Sequence, residues 1–89
     1  MVFEEIIWLH YVVEKLAWKH RVVPSEVEKI LASRSTRHFR NQKGKIDGED
    51  VYNALGRTQE GRYLSVFYIR KHGHRALIIS ARNMNKVEK

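Results

Sequence analysis

The chain has 89 residues, 43% of them apolar, with one proline and no cysteine. That suits one small ordered domain over residues 1–89 and excludes a disulfide framework, a thiolate metal site and a membrane span, because no stretch approaches the ~18 apolar residues a crossing needs. Seventeen Lys and Arg against ten Asp and Glu give a net charge of +7, which points to an anionic partner, either nucleic acid or an acidic protein.

The opening "MVFEEIIWLH" lacks the basic region and cleavage site of a secretory signal, so the cytoplasm is the expected compartment. Within it "VFEEIIW" is β-branched and aromatic, which predicts a first strand. A helix follows from about Leu9 to His20, with Leu9, Val12, Val13, Leu16 and His20 along one stripe. Tyr11 and Trp18 fall on the opposite side, where packing against a neighbouring helix is expected and a partner anchor is the alternative. Pro24 sits at a first helical position, Glu26 and Glu28 suit the positive end of the helix dipole, and Val27, Ile30 and Leu31 form an i, i+3, i+4 stripe. A second helix from Pro24 to about Ser33 is predicted.

The period then changes to two. "STRHFRN", "DVYNALGRT", "RYLSVFYIR" and "RALIISAR" read as strands, joined by turns at "QKGK", "TQEG" and "KHGH". "NMNKVEK" has room for one helical turn with Asn83 as its N-cap. The expected fold is α+β, in the order β-α-α-β-β-β-β, an antiparallel meander with both helices on one face.

Several residues invite a chemical reading. Alternation along "RALIISAR" puts Ala76, Ile78, Ser80 and Arg82 on one face, and along "VYNALGR" it groups Val51, Asn53, Leu55 and Arg57. Each row ends in an arginine that must reach solvent, a carboxylate or a bound anion. Edge gatekeepers, or partners for Glu4 and Glu5, are one reading, and a bidentate clamp on phosphate is the other. Gly56 and Ala81 beside them leave room for close approach to the backbone. His20 lies on the core stripe at its helix's end, either as a packing residue or as a proton carrier. Arg34, Arg37, Arg40, Lys43 and Lys45, with Phe39 among them and no acid, suit a groove that follows a nucleic-acid backbone and stacks a base; a solvated basic hairpin is the alternative. No histidine spacing suggests a metal site.

Trp8, "KHRVVPSEVEKIL", "YNALGRTQEGRYLSVFY" and "IISARNMNK" in this order resemble the BrnT toxin family, of RelE-like architecture, over nearly the whole chain. The resemblance implies a metal-independent endoribonuclease that needs no cofactor and cleaves single-stranded messenger RNA. It also implies a cognate antitoxin with a DNA-binding domain, and assembly as a homodimer or a toxin–antitoxin hetero-oligomer. Matched positions carry over Trp8, Lys19, His20, Arg57 and Arg82 as functional residues, with Lys86 at the basic position of the tail. Arg21 and Val23 stand where the family usually has glycine and serine, and Leu77 where many members have arginine. Cleavage would proceed by attack of the ribose 2′-hydroxyl, with Arg57 and Arg82 meeting transition-state charge and His20 or Lys19 handling protons. Trp8, Lys86 and the segment from Arg34 to Lys45 would hold the strand. The competing readings are a catalytically inactive module binding an antitoxin or nucleic acid, and an inhibitor of DNA gyrase.

Overall fold

A short strand, β1 (Glu5–Ile7), leads into α1 (His10–Lys15), which widens into a π-helical turn over Leu16–His20. Next come α2 (Pro24–Ala32), β2 (Arg37–Gln42), β3 (Val51–Arg57), β4 (Tyr63–Lys71) and β5 (Arg75–Asn83). The structure, a computed structural model, describes residues 3–42 and 50–88; Lys43 and Lys45 lie outside them. Among the described residues no helix is long and apolar enough to cross a membrane.

The strands form one five-stranded sheet in the order β1-β5-β4-β3-β2. Neighbours from β2 to β5 run antiparallel, but β1 lies parallel to β5, so the sheet is mixed rather than the antiparallel one expected. The helix pair carries the chain from β1 across the sheet, as a non-hairpin connection must. Val12 and Leu16 from the first helix, with Val27, Ile30 and Leu31 from α2, share one core with Ala54, Leu64, Val66, Tyr68, Ala76, Ile78 and Ala81 of the sheet. Each buried Val, Leu or Ile side chain among them stabilises by about 1.5–3 kcal/mol relative to exposure. The opposite face carries Asn53, Leu55, Arg57, Tyr63, Ser65, Phe67 and Arg82, and is called the open face below.

Strict alternation fails in β5. Phe67 pairs with Ser80 and Tyr68 with Ile78, leaving Ile79 as the extra residue of a bulge. Ile78 therefore faces the helices while Ser80 and Arg82 face away, and the expected row of Ala76, Ile78, Ser80 and Arg82 is broken. Gly56 serves packing rather than a ligand, because a Cβ there would lie 2.6 Å from Ile30 Cγ2 and 2.7 Å from Thr36 Oγ1.

The helix junction is tight. Arg21 takes the left-handed conformation, φ 54°, and its N–H donates to the Leu16 carbonyl. Val23 precedes α2 without a side-chain acceptor, so the cap is one-sided: its own N–H donates to Glu26 Oε1 at 3.1 Å.

Candidate active site

One end of the sheet gathers the cationic residues. β3 finishes there in Arg57, β4 begins with Tyr63 just after Arg62, and β5 reaches Arg82 and Asn83. Arg57 lies over the Tyr63 ring, 5.2 Å from its centroid, and folds back on the turn at Gly61, whose φ of 90° lets that turn close. Among the described residues no carboxylate pairs with it. Arg82 lies over Phe67 at 5.3 Å and grips Glu88 through both terminal nitrogens, at 2.7 and 3.1 Å. Glu4 and Glu5, the carboxylate partners of the alternative reading, make no ion pair with either arginine among the described residues. In this state the two guanidinium groups share no acceptor: one rests on an aromatic ring and the other is clasped by the tail.

Glu88 is held on all sides. The Asn85 N–H donates to Oε1 at 2.9 Å and Ser65 Oγ donates to Oε2 at 3.2 Å, while Asn85 Oδ1 accepts from the Glu88 N–H at 3.0 Å. The tail thus turns on Asn85 and not on Asn83, whose side-chain oxygen accepts from Arg62 Nε at 2.8 Å. The bond to Arg82 above all keeps the Glu88 carboxyl below its ordinary range, against the opposing effect of burial.

Arg62, which sequence reading passed over, organises the same end from the other side. Its terminal nitrogens donate to the carbonyls of His20 and Arg21, and Glu26 lies 3.8 Å away. Those carbonyls are free for a side-chain donor because the π-helical turn ends there. Arg62 therefore ties His20 to the start of α2 and to β5. His20 is partly exposed, and its pKa is lowered, first by desolvation and then by the charges of Lys19, Lys15, Arg62 and Arg82. A neutral imidazole ringed by cations suits a proton acceptor beside an anionic substrate.

The remaining expected residues divide. Lys19 is exposed next to His20, and Lys86 is exposed in the tail turn. Trp8 is half-buried against the core and donates from Nε1 to Glu28 at 3.0 Å. Arg37 lines an open-face hollow of about 300 Å³ together with Leu55, Arg57, Tyr63 and Glu88. Arg40 does not join it: strand alternation turns it to the other face, where it lies 3.6 Å from Asp50. Arg34 is exposed in the preceding turn. Among the described residues of the basic segment, Arg37 and Arg40 therefore lie on opposite faces of the sheet. A larger hollow of about 550 Å³ also borders Arg57, but its wall sets Glu26 and Glu60 against Arg57 and Lys29 and so offers no net positive charge to draw a phosphate. Tyr11 and Trp18, expected to pack inside, stay 67% and 75% exposed because α2 does not reach their side of the first helix. Among the described residues no three His, Asp or Glu side chains gather as metal ligands would.

No curated protein sequence matches the chain. In fold it is similar to the crystal structure of the Brucella abortus ribonuclease toxin BrnT, with a TM-score of 0.67 and 20% identity over 92% of this chain and 97% of that one. The family described as "Ribonuclease toxin, BrnT, of type II toxin-antitoxin system" matches residues 13–88. The match runs from within α1 through α2, the whole cationic sheet end and Glu88, and the chain belongs to this family of toxin–antitoxin ribonucleases.

Proposed function

We propose that this toxin cleaves messenger RNA without a metal ion, by attack of the ribose 2′-hydroxyl on the adjacent phosphate. Family membership brings the RNA substrate and the antitoxin partner; the chemistry rests on the sheet end. His20 takes the 2′-hydroxyl proton, and Lys19 beside it gives a proton to the leaving 5′-oxygen. Arg82 and Arg57 meet the charge that grows on the phosphorane, the part a metal ion plays elsewhere. Arg34, Arg37 and Lys86 hold the flanking phosphates, and Trp8 fixes the start of the helix pair. The single observation that carries this reading is His20, of lowered pKa, held by Arg62 within the fields of Lys19 and Arg82.

The same reading includes a RelE-like origin for the fold, action in the cytoplasm, and neutralisation by an antitoxin with a DNA-binding domain in a homodimer or hetero-oligomer. The test is incubation of purified protein with single-stranded RNA in EDTA. Cleavage is expected, falling at least ~100-fold in His20→Ala and in Arg82→Ala. Intact RNA with folded wild-type protein overturns it.

One observation favours a second reading. Arg82 is already clasped by Glu88, which suits a basic module that binds antitoxin or nucleic acid and turns nothing over. Salt-sensitive association with no RNA products at any salt concentration is its signature.

A further inference from the structure

Asn53 and Ser65 are neighbours on β3 and β4 of the open face, only 5% and 0% exposed. Polar side chains this deep are costly unless every group is used. Asn53 Nδ2 donates to Ser65 Oγ at 2.7 Å and to the Val66 carbonyl at 3.2 Å. Ser65 is thereby an acceptor on its inner side, and its own hydrogen turns outward to Glu88 Oε2. Arg82 adds its two terminal N–H groups, with the guanidinium plane set by Phe67. A hydroxyl and a guanidinium fork thus converge on one carboxylate from fixed positions in the sheet, and the Asn85 N–H joins them from the tail itself.

A carboxylate carries one negative charge on two oxygens, as a phosphodiester does on its non-bridging oxygens. Donors arranged for one suit the other. Glu88 also walls the hollow that Arg37 and Arg57 line. Ser65 and Arg82 are bonded to the Glu88 that walls this hollow, so withdrawal of the tail would add a third guanidinium group to those of Arg37 and Arg57.

We propose that Ser65, oriented by Asn53, and Arg82 form an oxyanion seat for a phosphodiester group of RNA, and that Glu88 fills this seat in the free protein as a displaceable internal competitor. The identity of the ligand rests on the RNA-cleavage reading; the seat and its competitor rest on the hydrogen bonds. Since the tail's single turn is tied to the sheet mainly through Glu88, substrate binding and tail release are one exchange.

The experiment is fluorescence anisotropy with a labelled single-stranded oligonucleotide carrying 2′-O-methyl groups, which cannot be cut, on wild type, Glu88→Gln, Glu88→Ala and the double variant Glu88→Gln with Ser65→Ala. Glu14→Gln, on the exposed helix face, adds the same unit of charge and serves as the control. Both Glu88 variants are expected to bind about tenfold tighter than wild type, and the double variant to lose most of that gain. Equal tightening in Glu14→Gln, or no tightening in either Glu88 variant, overturns the seat. A parallel assay with unmodified RNA separates the two readings. Cleavage by wild type without tightening in the Glu88 variants removes the seat and leaves the nuclease. Tightening without cleavage by any variant removes the nuclease and leaves the seat.

Discussion

Arg21 holds φ 54° directly after the π-helical turn, in a basin that disfavours every residue with a Cβ. Its side chain is exposed and makes no described contact that compensates; its carbonyl, which receives the Arg62 bond, would survive substitution. Arg21→Gly is therefore expected to stabilise by about 1 kcal/mol and to raise the thermal midpoint by about 4–8 °C in a calorimetric scan. The usual glycine of the family at this position has, in this fold, a backbone reason. A second residue-scale expectation concerns His20. The charge of Lys15 is one of the forces that lower its pKa, and Lys15 itself lies exposed outside the donor set. Removing that charge raises the pKa, so the proton acceptor stays charged to a higher pH. If His20 is the base, the acidic limb of the cleavage rate is expected to move toward higher pH in Lys15→Ala than in wild type. A limb that stays in place removes His20 from the role of base. Arg62 could be read only as a cation beside a turn, since nothing local announces that a distant helix will offer its last carbonyls to it.

The elements were legible where their signals are local. Pro24 begins α2 as its fixed φ suggests, and Val27, Ile30 and Leu31 are all buried as their spacing demands. The turns at Gly61 and Gly73, both at positive φ, fall where glycine marks them. What escaped reading depends on partners elsewhere in the fold. The bulge at Ile79 has no glycine or proline to betray it, and it moves Ser80 and Arg82 to the face opposite the one plain alternation gives. The parallel placement of β1 depends on which edge of the sheet remains for it, a choice absent from its few residues. Gly56 reads equally well as a ligand approach or a packing site until Ile30 and Thr36 are seen against it. Packing implies that Gly56→Ala costs about 1–3 kcal/mol, because Thr36 Oγ1 is already fixed on the Ile30 carbonyl at 2.6 Å and cannot yield cheaply. Urea unfolding measures this, and an unchanged midpoint would mean that α2 sits more loosely on β3 than it does here.

At the scale of the whole molecule, part of the positive charge gathers at one end of the sheet: Lys15, Lys19, Arg62 and Arg82 all act on His20, and Arg37 joins Arg57 on the open face. Charge alone indicated a polyanion; the end of the sheet where the charges meet is a product of topology, since the strands that supply them are distant in sequence and antiparallel in space. The chain supplies its own anion there through Glu88, which covers the Arg82 guanidinium. Attack by a ribose hydroxyl, with His20 and the arginines in the roles given above, makes a specific chemical demand on the products. The most direct measurement is the identity of the new RNA ends after digestion in EDTA. Ends bearing 2′,3′-cyclic phosphate and 5′-hydroxyl are expected, and ends bearing 3′-hydroxyl and 5′-phosphate would contradict the mechanism.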